Sequence, residues 1–126
     1  RFREGTEGFN TWLETGVTHV ENSRTKQQLP HYFQFYKDFE KNEHRLTINR
    51  AVMNLFKPQL IIHGSGDLTV DVNEAVALNK WNPSSSLEIV NEADHVFGSK
   101  HPWIEKNLPK DLQQAASLTL SFLSRL

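Results

Sequence analysis

Apolar residues recur along this chain in two rhythms, and the change falls near Lys57-Pro58. Ahead of it, from Pro30 onward, Tyr32, Phe33, Phe35, Tyr36 and Phe39 return at steps of three and four, with Lys37, Asp38, Glu40 and Lys41 between them. That spacing predicts an amphipathic helix with proline in its first turn. Glu7 to Leu13 predicts a shorter helix ended by Gly16, and Ile48 to Leu55 predicts another, while Val17 to Val20 is too brief to assign. Beyond Pro58 the order becomes strand, helix, strand, helix. Gln59 to His63 is a short apolar run bounded by Pro58 and Gly64, the pattern of a strand buried on both faces. Asp71 is placed to cap a helix running to about Lys80, with Glu74 three residues on in the manner of a capping box. Pro83 and the serines 84–86 turn the chain into a second strand, Leu87 to Val90. Pro109 and Asp111 open a last helix, in which Leu112, Ala115, Leu118 and Leu123 contribute to a broad apolar face.

Strand, crossover helix, strand is a βαβ unit, whose strands run parallel. The expected fold is therefore α/β: a partial parallel sheet with flanking helices. Residues 1–126 are read as a single, partial domain, with a helical, aromatic-rich segment at 1–56 and a βαβα segment at 57–126. In parallel sheets, functional groups gather beyond the carboxyl ends of the strands. Asp67 follows the first strand within one short turn and His95 follows the second likewise. The two side chains belong at the same sheet edge, on neighbouring loops.

Composition narrows the field. Hydrophobic residues make up 37% and charged residues 23% of 126, a globular balance with enough chain for one modest core. A formal charge of −1 provides no net attraction for nucleic acid or an anionic membrane, and neither is expected as a partner. No apolar run approaches the roughly 18 residues that cross a bilayer. The absence of cysteine excludes disulfides and thiolate metal sites and fits a reducing, cytoplasmic compartment. A small redox or phosphate-binding protein is set aside, because neither a C-x-x-C nor a Gly-rich phosphate loop is present.

Taken singly, Asp67 reads as a turn-former on a Gly-rich loop, and His95 as a loop histidine bonded to a backbone carbonyl. As a pair they carry chemistry. A histidine acting as general base needs a carboxylate on one ring nitrogen, which fixes its tautomer and stabilises the imidazolium. Two adjacent parallel-strand ends deliver such a pair.

The segment PQLIIHGSGDLTV, from Pro58 to Val70, followed by LEIVNEADHVF, from Leu87 to Phe97, resembles the last two strand-loop units of an α/β-hydrolase. ADHVFGSKHPW, from Ala93 to Trp103, resembles the dienelactone-hydrolase and prolyl-oligopeptidase-like branch, and the residues 21–39 look like the region ahead of the acid strand there. The resemblance implies a serine hydrolase acting on an ester, or on a peptide or amide, through a Ser-Asp-His triad. Asp67 would be its acid and His95 its base, and no cofactor or metal is implied. Acid before histidine is the chain order of that fold. The departure lies upstream: no G-x-S-x-G elbow and no His-Gly-Gly stretch for an oxyanion hole occur in this sequence. Such a fold often runs to roughly 250 residues in one domain, and the chain opens Arg1-Phe2-Arg3 without Met. The expectation is the C-terminal half of the fold, inactive by itself, with the N-terminal half supplying the serine. The rival is a non-catalytic structural or interaction module of the same fold.

Other residues weigh less. His95 and His101 stand six apart in no zinc-binding pattern, so no metal site is expected. His63 is read as ending its strand with the ring on a loop carbonyl, and Asp94 as a loop-fixing group beside the base. Residues 101–103 are candidates for a flap over the site, with a packed Trp103 the simpler reading. Tyr32, Phe33, Phe35 and Tyr36 are read as core before acyl pocket. Arg1 and Arg3 offer charge for a substrate carboxylate. Substrate-binding residues are otherwise unassigned.

Overall fold

The computed structural model describes residues 4–22 and 24–126, so the charges of Arg1 and Arg3 lie outside the described residues. The chain forms two units that divide between Thr47 and Ile48.

In the first unit, helix α1 spans Glu7–Thr15, strands β1 and β2 span Val17–Glu21 and Gln28–Tyr32, and helix α2 spans Gln34–Leu46. Thr6 caps α1 by accepting from the Phe9 N–H, and Gly16 ends it at φ 74, a left-handed conformation that costs glycine little. β1 and β2 pair antiparallel, with Val17 opposite Tyr32 and His19 opposite Pro30. The aromatic rhythm therefore misplaces the start of α2: Pro30 and Tyr32 belong to a strand, and segment 1–56 is not wholly helical. Long-range pairing outweighs local periodicity here. Trp12 Nε1–H donates to the His31 carbonyl over 2.7 Å, and the Phe33 N–H donates to Gly16. Both bonds tie down the end of β2 and the turn at Phe33 before the helix begins.

Phe9, Trp12 and Phe33 form the buried cluster of this unit, with Tyr36 packed against it. Phe9 and Phe33 meet edge to face at 5.6 Å, and Trp12 and Phe33 at 5.1 Å. Tyr32 and Phe35 are exposed, so the four aromatic residues do not form one stripe. The Tyr36 hydroxyl donates to the Glu4 carboxylate, and that bond above all raises its pKa to about 12. Phe33→Ala should destabilise this unit by about 3 kcal/mol, in the usual range for deleting a buried ring. The urea midpoint followed through tryptophan fluorescence measures it.

The second unit is mixed α/β, with a small parallel sheet and flanking helices. Helix α3 spans Ile48–Met53, strand β3 Leu60–Gly64, helix α4 Val72–Trp81, strand β4 Ser86–Val90 and helix α5 Lys110–Leu123. β3 and β4 run parallel in the register Leu60 to Ser86 through Gly64 to Val90. Helices α4 and α5 both pack on the two strands. Ile61, Ala75, Val90, Ala93 and Ala115 are buried. Much of the apolar face of α5 is not, since Leu120 and Leu123 are 68% and 55% exposed.

Asp71 caps α4 by accepting from the Asn73 N–H at 2.8 Å. Asn82 closes the other end, buried and satisfied: its amide donates to Gln59 Oε1 at 2.9 Å and its Oδ1 accepts from the Ser84 hydroxyl at 2.6 Å. The Ser86 N–H donates to the Gln59 carbonyl, which starts β4 level with β3. Among the described residues no helix is long and apolar enough to cross a membrane.

Candidate active site

The carboxyl ends of β3 and β4 carry two loops that are joined largely through backbone. Gly64, the last residue of β3, is followed by Ser65, whose N–H donates to the Val90 carbonyl at 3.0 Å. The Gly66 N–H donates to the Ala93 carbonyl at 3.0 Å, and Ser65 Oγ accepts from the Glu92 N–H at 2.8 Å. These three bonds set the acid's turn against the loop after β4, where Ala93 is completely buried. The roles of Ser65, Glu92 and Ala93 escape a reading of residue types, although three small residues flanking the strand end are a trace of the close approach.

Asp67 sits at the head of that turn with its side chain 4% exposed. Oδ1 accepts from the Thr69 N–H at 2.8 Å and the Val70 N–H at 2.9 Å. Oδ2 lies 2.8 Å from Nδ1 of His95, whose side chain is 51% exposed. The two residues singled out in the sequence are therefore in direct contact. Burial pushes the Asp67 carboxyl upward, but the hydrogen bonds from Val70, His95 and Thr69 outweigh it and hold the pKa at about 2, below the ordinary 3.8.

An ionised carboxylate can only accept, so the His95 proton resides on Nδ1. In the neutral ring, Nε2 then presents a lone pair, and among the described residues it has no hydrogen-bond partner. A half-exposed imidazole oriented by a buried carboxylate on one nitrogen can take a proton from a group that approaches the other.

Because Asp67 binds its proton more weakly folded than unfolded, the unfolded chain holds more protons between about pH 3.8 and 2. Asp67's contribution to stability is thus fully present above that window and is lost as pH falls through it. Asp67→Asn should flatten this part of the acid limb, which urea unfolding between pH 2 and 5 measures.

Asp94 is bonded to its own loop and has no hydrogen bond to His95. Its Oδ1 accepts from the Val96 and Gly98 N–H groups at 3.1 and 2.8 Å and so fixes the loop on which His95 stands. His63 Nε2 lies 3.0 Å from the Val70 carbonyl, the loop-carbonyl contact read from its place at the strand end. A cavity of about 230 Å³ opens beside the pair, with Ile62, Val70 and Phe97 as its apolar walls and His63, Asp67 and His95 as its polar groups. Its lining includes neither His101 nor Trp103. Among the described residues no group of three or more His, Asp or Glu side chains is arranged to hold a metal ion. No family model matches the chain, and no curated protein matches it.

Proposed function

We propose that this chain is the C-terminal part of an α/β-hydrolase fold and supplies the acid and the base of a serine hydrolase. Asp67 is the acid and His95 the base, while the nucleophilic serine and the oxyanion donors come from residues outside these 126. The observation that carries the reading is the 2.8 Å contact between His95 Nδ1 and a carboxylate already held by two backbone N–H groups, which leaves Nε2 turned to no protein partner among the described residues. The parallel β3–β4 pair supports it, since among the described residues each strand pairs only with the other and leaves an open edge for further strands.

In the proposed reaction, the serine Oγ–H proton passes to His95 Nε2 as Oγ bonds to the carbonyl carbon of an ester. Asp67 stabilises the resulting imidazolium. The proton then goes to the departing alkoxide, giving an alcohol and an acyl-serine. Water repeats the sequence: its proton goes to Nε2, its oxygen bonds to the acyl carbon, and serine leaves with the proton. No cofactor takes part. An ester is preferred to a peptide or amide because an alkoxide leaves more readily than an amide anion. The substrate is a small molecule, with neither nucleic acid nor membrane as a partner.

The lack of a G-x-S-x-G elbow favours a second reading, a non-catalytic module that retains the two loops. Assay with p-nitrophenyl butyrate separates the two. The assembly carrying the other half of the sheet should hydrolyse it with a burst of one equivalent, while the 126 residues alone stay at the buffer rate. Buffer-rate hydrolysis of both ester and anilide substrates by that assembly would favour the module.

A further inference from the structure

His63 stands at the end of β3, its side chain 15% exposed, and the hydrolytic mechanism above assigns it nothing. Its ring nevertheless reaches both ends of the acid's turn. Nε2 is 3.0 Å from the carbonyl of Val70 and 3.5 Å from Oδ2 of Asp67. A carbonyl oxygen has no proton to give, so His63 Nε2 carries one and donates it. The peptide whose carbonyl is gripped follows the residue whose N–H holds Asp67 Oδ1 at 2.9 Å. Val70 is thus tied on both sides: its N–H to the carboxylate, and its C=O to a ring anchored in the strand. Asp71, the next residue, is the cap of α4, so this tie also sets where the turn enters the helix. The second edge of the ring's reach matters equally. Oδ2 is the oxygen that receives His95 at 2.8 Å, and the same oxygen is 3.5 Å from His63 Nε2. One carboxylate oxygen therefore has two imidazoles within reach, His63 largely covered and His95 half-exposed.

We infer that His63 is the positioning residue of the acid: by donating from Nε2 to the Val70 carbonyl, with Asp67 Oδ2 at the margin of the same N–H, it holds the 67–70 turn so that Oδ2 faces His95. It touches neither substrate nor serine, and acts through Asp67. The inference deepens the hydrolase reading and rests on it for its catalytic meaning, but its geometric content belongs to this chain alone.

Nuclear magnetic resonance of the 126-residue chain tests it without any serine. The long-range proton–nitrogen spectrum of wild-type protein should show His63 protonated at Nε2 and His95 at Nδ1. His63→Ala should raise the Asp67 carboxyl titration midpoint from about 2 toward 3.8 and weaken the preference of His95 for the Nδ1–H tautomer. His63→Gln, which can place an amide N–H near the position of Nε2, should restore both readings. A residue that only fills space at the strand end would move the melting temperature without moving either. An Nδ1–H tautomer at wild-type His63 overturns the inference with no variant needed, which covers the case of a His63→Ala chain that does not fold. Unchanged midpoint and tautomer in a folded His63→Ala chain overturn it as well. Failure of the hydrolase reading looks different, as absent ester turnover by the larger assembly with these spectra unaltered.

Discussion

On the proposed hydrolase reading, His95→Ala in the assembly that would contain the nucleophile should lower the acylation rate by roughly 10⁶, the loss seen when the base of a serine triad is removed. The reason is local. Nε2 has no hydrogen-bond partner among the described residues, and alanine removes the imidazole that would accept the serine proton: His63 donates to a carbonyl, and Asp67 and Asp94 are each held by two backbone N–H groups of their own loops. Asp67→Asn should cost about 10⁴, because an amide in place of the carboxylate favours the wrong imidazole tautomer. KM should change little in both variants, since neither side chain is proposed to bind the ground-state substrate. Single-turnover acylation with p-nitrophenyl butyrate gives the rate and its saturation together. A His95→Ala enzyme within tenfold of wild type would refute the assignment.

Gly64→Ala should unfold the second unit or detach its two loops, with a loss of at least about 3 kcal/mol, the upper part of the range for overpacking a filled core. A methyl group at Gly64 would lie 2.1 Å from the Ala93 carbonyl oxygen and 2.6 Å from its carbon. Those atoms are backbone and cannot rotate away. Moving them breaks the bond from the Gly66 N–H to the same carbonyl and disturbs the bond from the Ala93 N–H to Val90. The restriction is one of space, not of backbone angle, so any side chain fails there. Gly66→Ala should act in the same direction more mildly, its methyl being 2.7 Å from the Glu92 carbonyl oxygen. Urea denaturation of the two variants, with the Asp67–His95 contact followed through the His95 Nδ1–H resonance, reads both consequences. A Gly64→Ala protein of wild-type stability would show that the loops are not packed as described.

The second unit was the more legible half of the sequence, and the cause is physical. β3 is a continuous apolar run between Pro58 and Gly64, and α4 announces itself through the cap at Asp71, so local signals and final structure agree. Once the strands are parallel and adjacent, their following loops must share an edge, which is why Asp67 and His95 were readable as a pair although they lie far apart in the chain. The hairpin was not legible. Pro30 argues against a strand, and the aromatic rhythm argues for a helix from the same residue; pairing with β1 and the bond from Trp12 to His31 decide the matter, and both are long-range. The contact that joins the two loops was equally hidden, because it runs largely through backbone of Ser65, Gly66, Val90 and Ala93 and depends on Gly64 standing level with Val90. His63 was visible as a strand end, but its place beside Asp67 follows from the curl of the turn.

Intact-mass analysis after exposure to a fluorophosphonate tests the central claim most directly, because the reagent phosphonylates, with loss of fluoride, a serine whose proton a neighbouring base can take. The account predicts no adduct on the 126 residues alone, a single adduct on the assembly with the other half of the fold, mapped to a serine outside these residues, and loss of that adduct in His95→Ala. A stoichiometric adduct on a serine within this chain, or an undiminished adduct in His95→Ala, would contradict it.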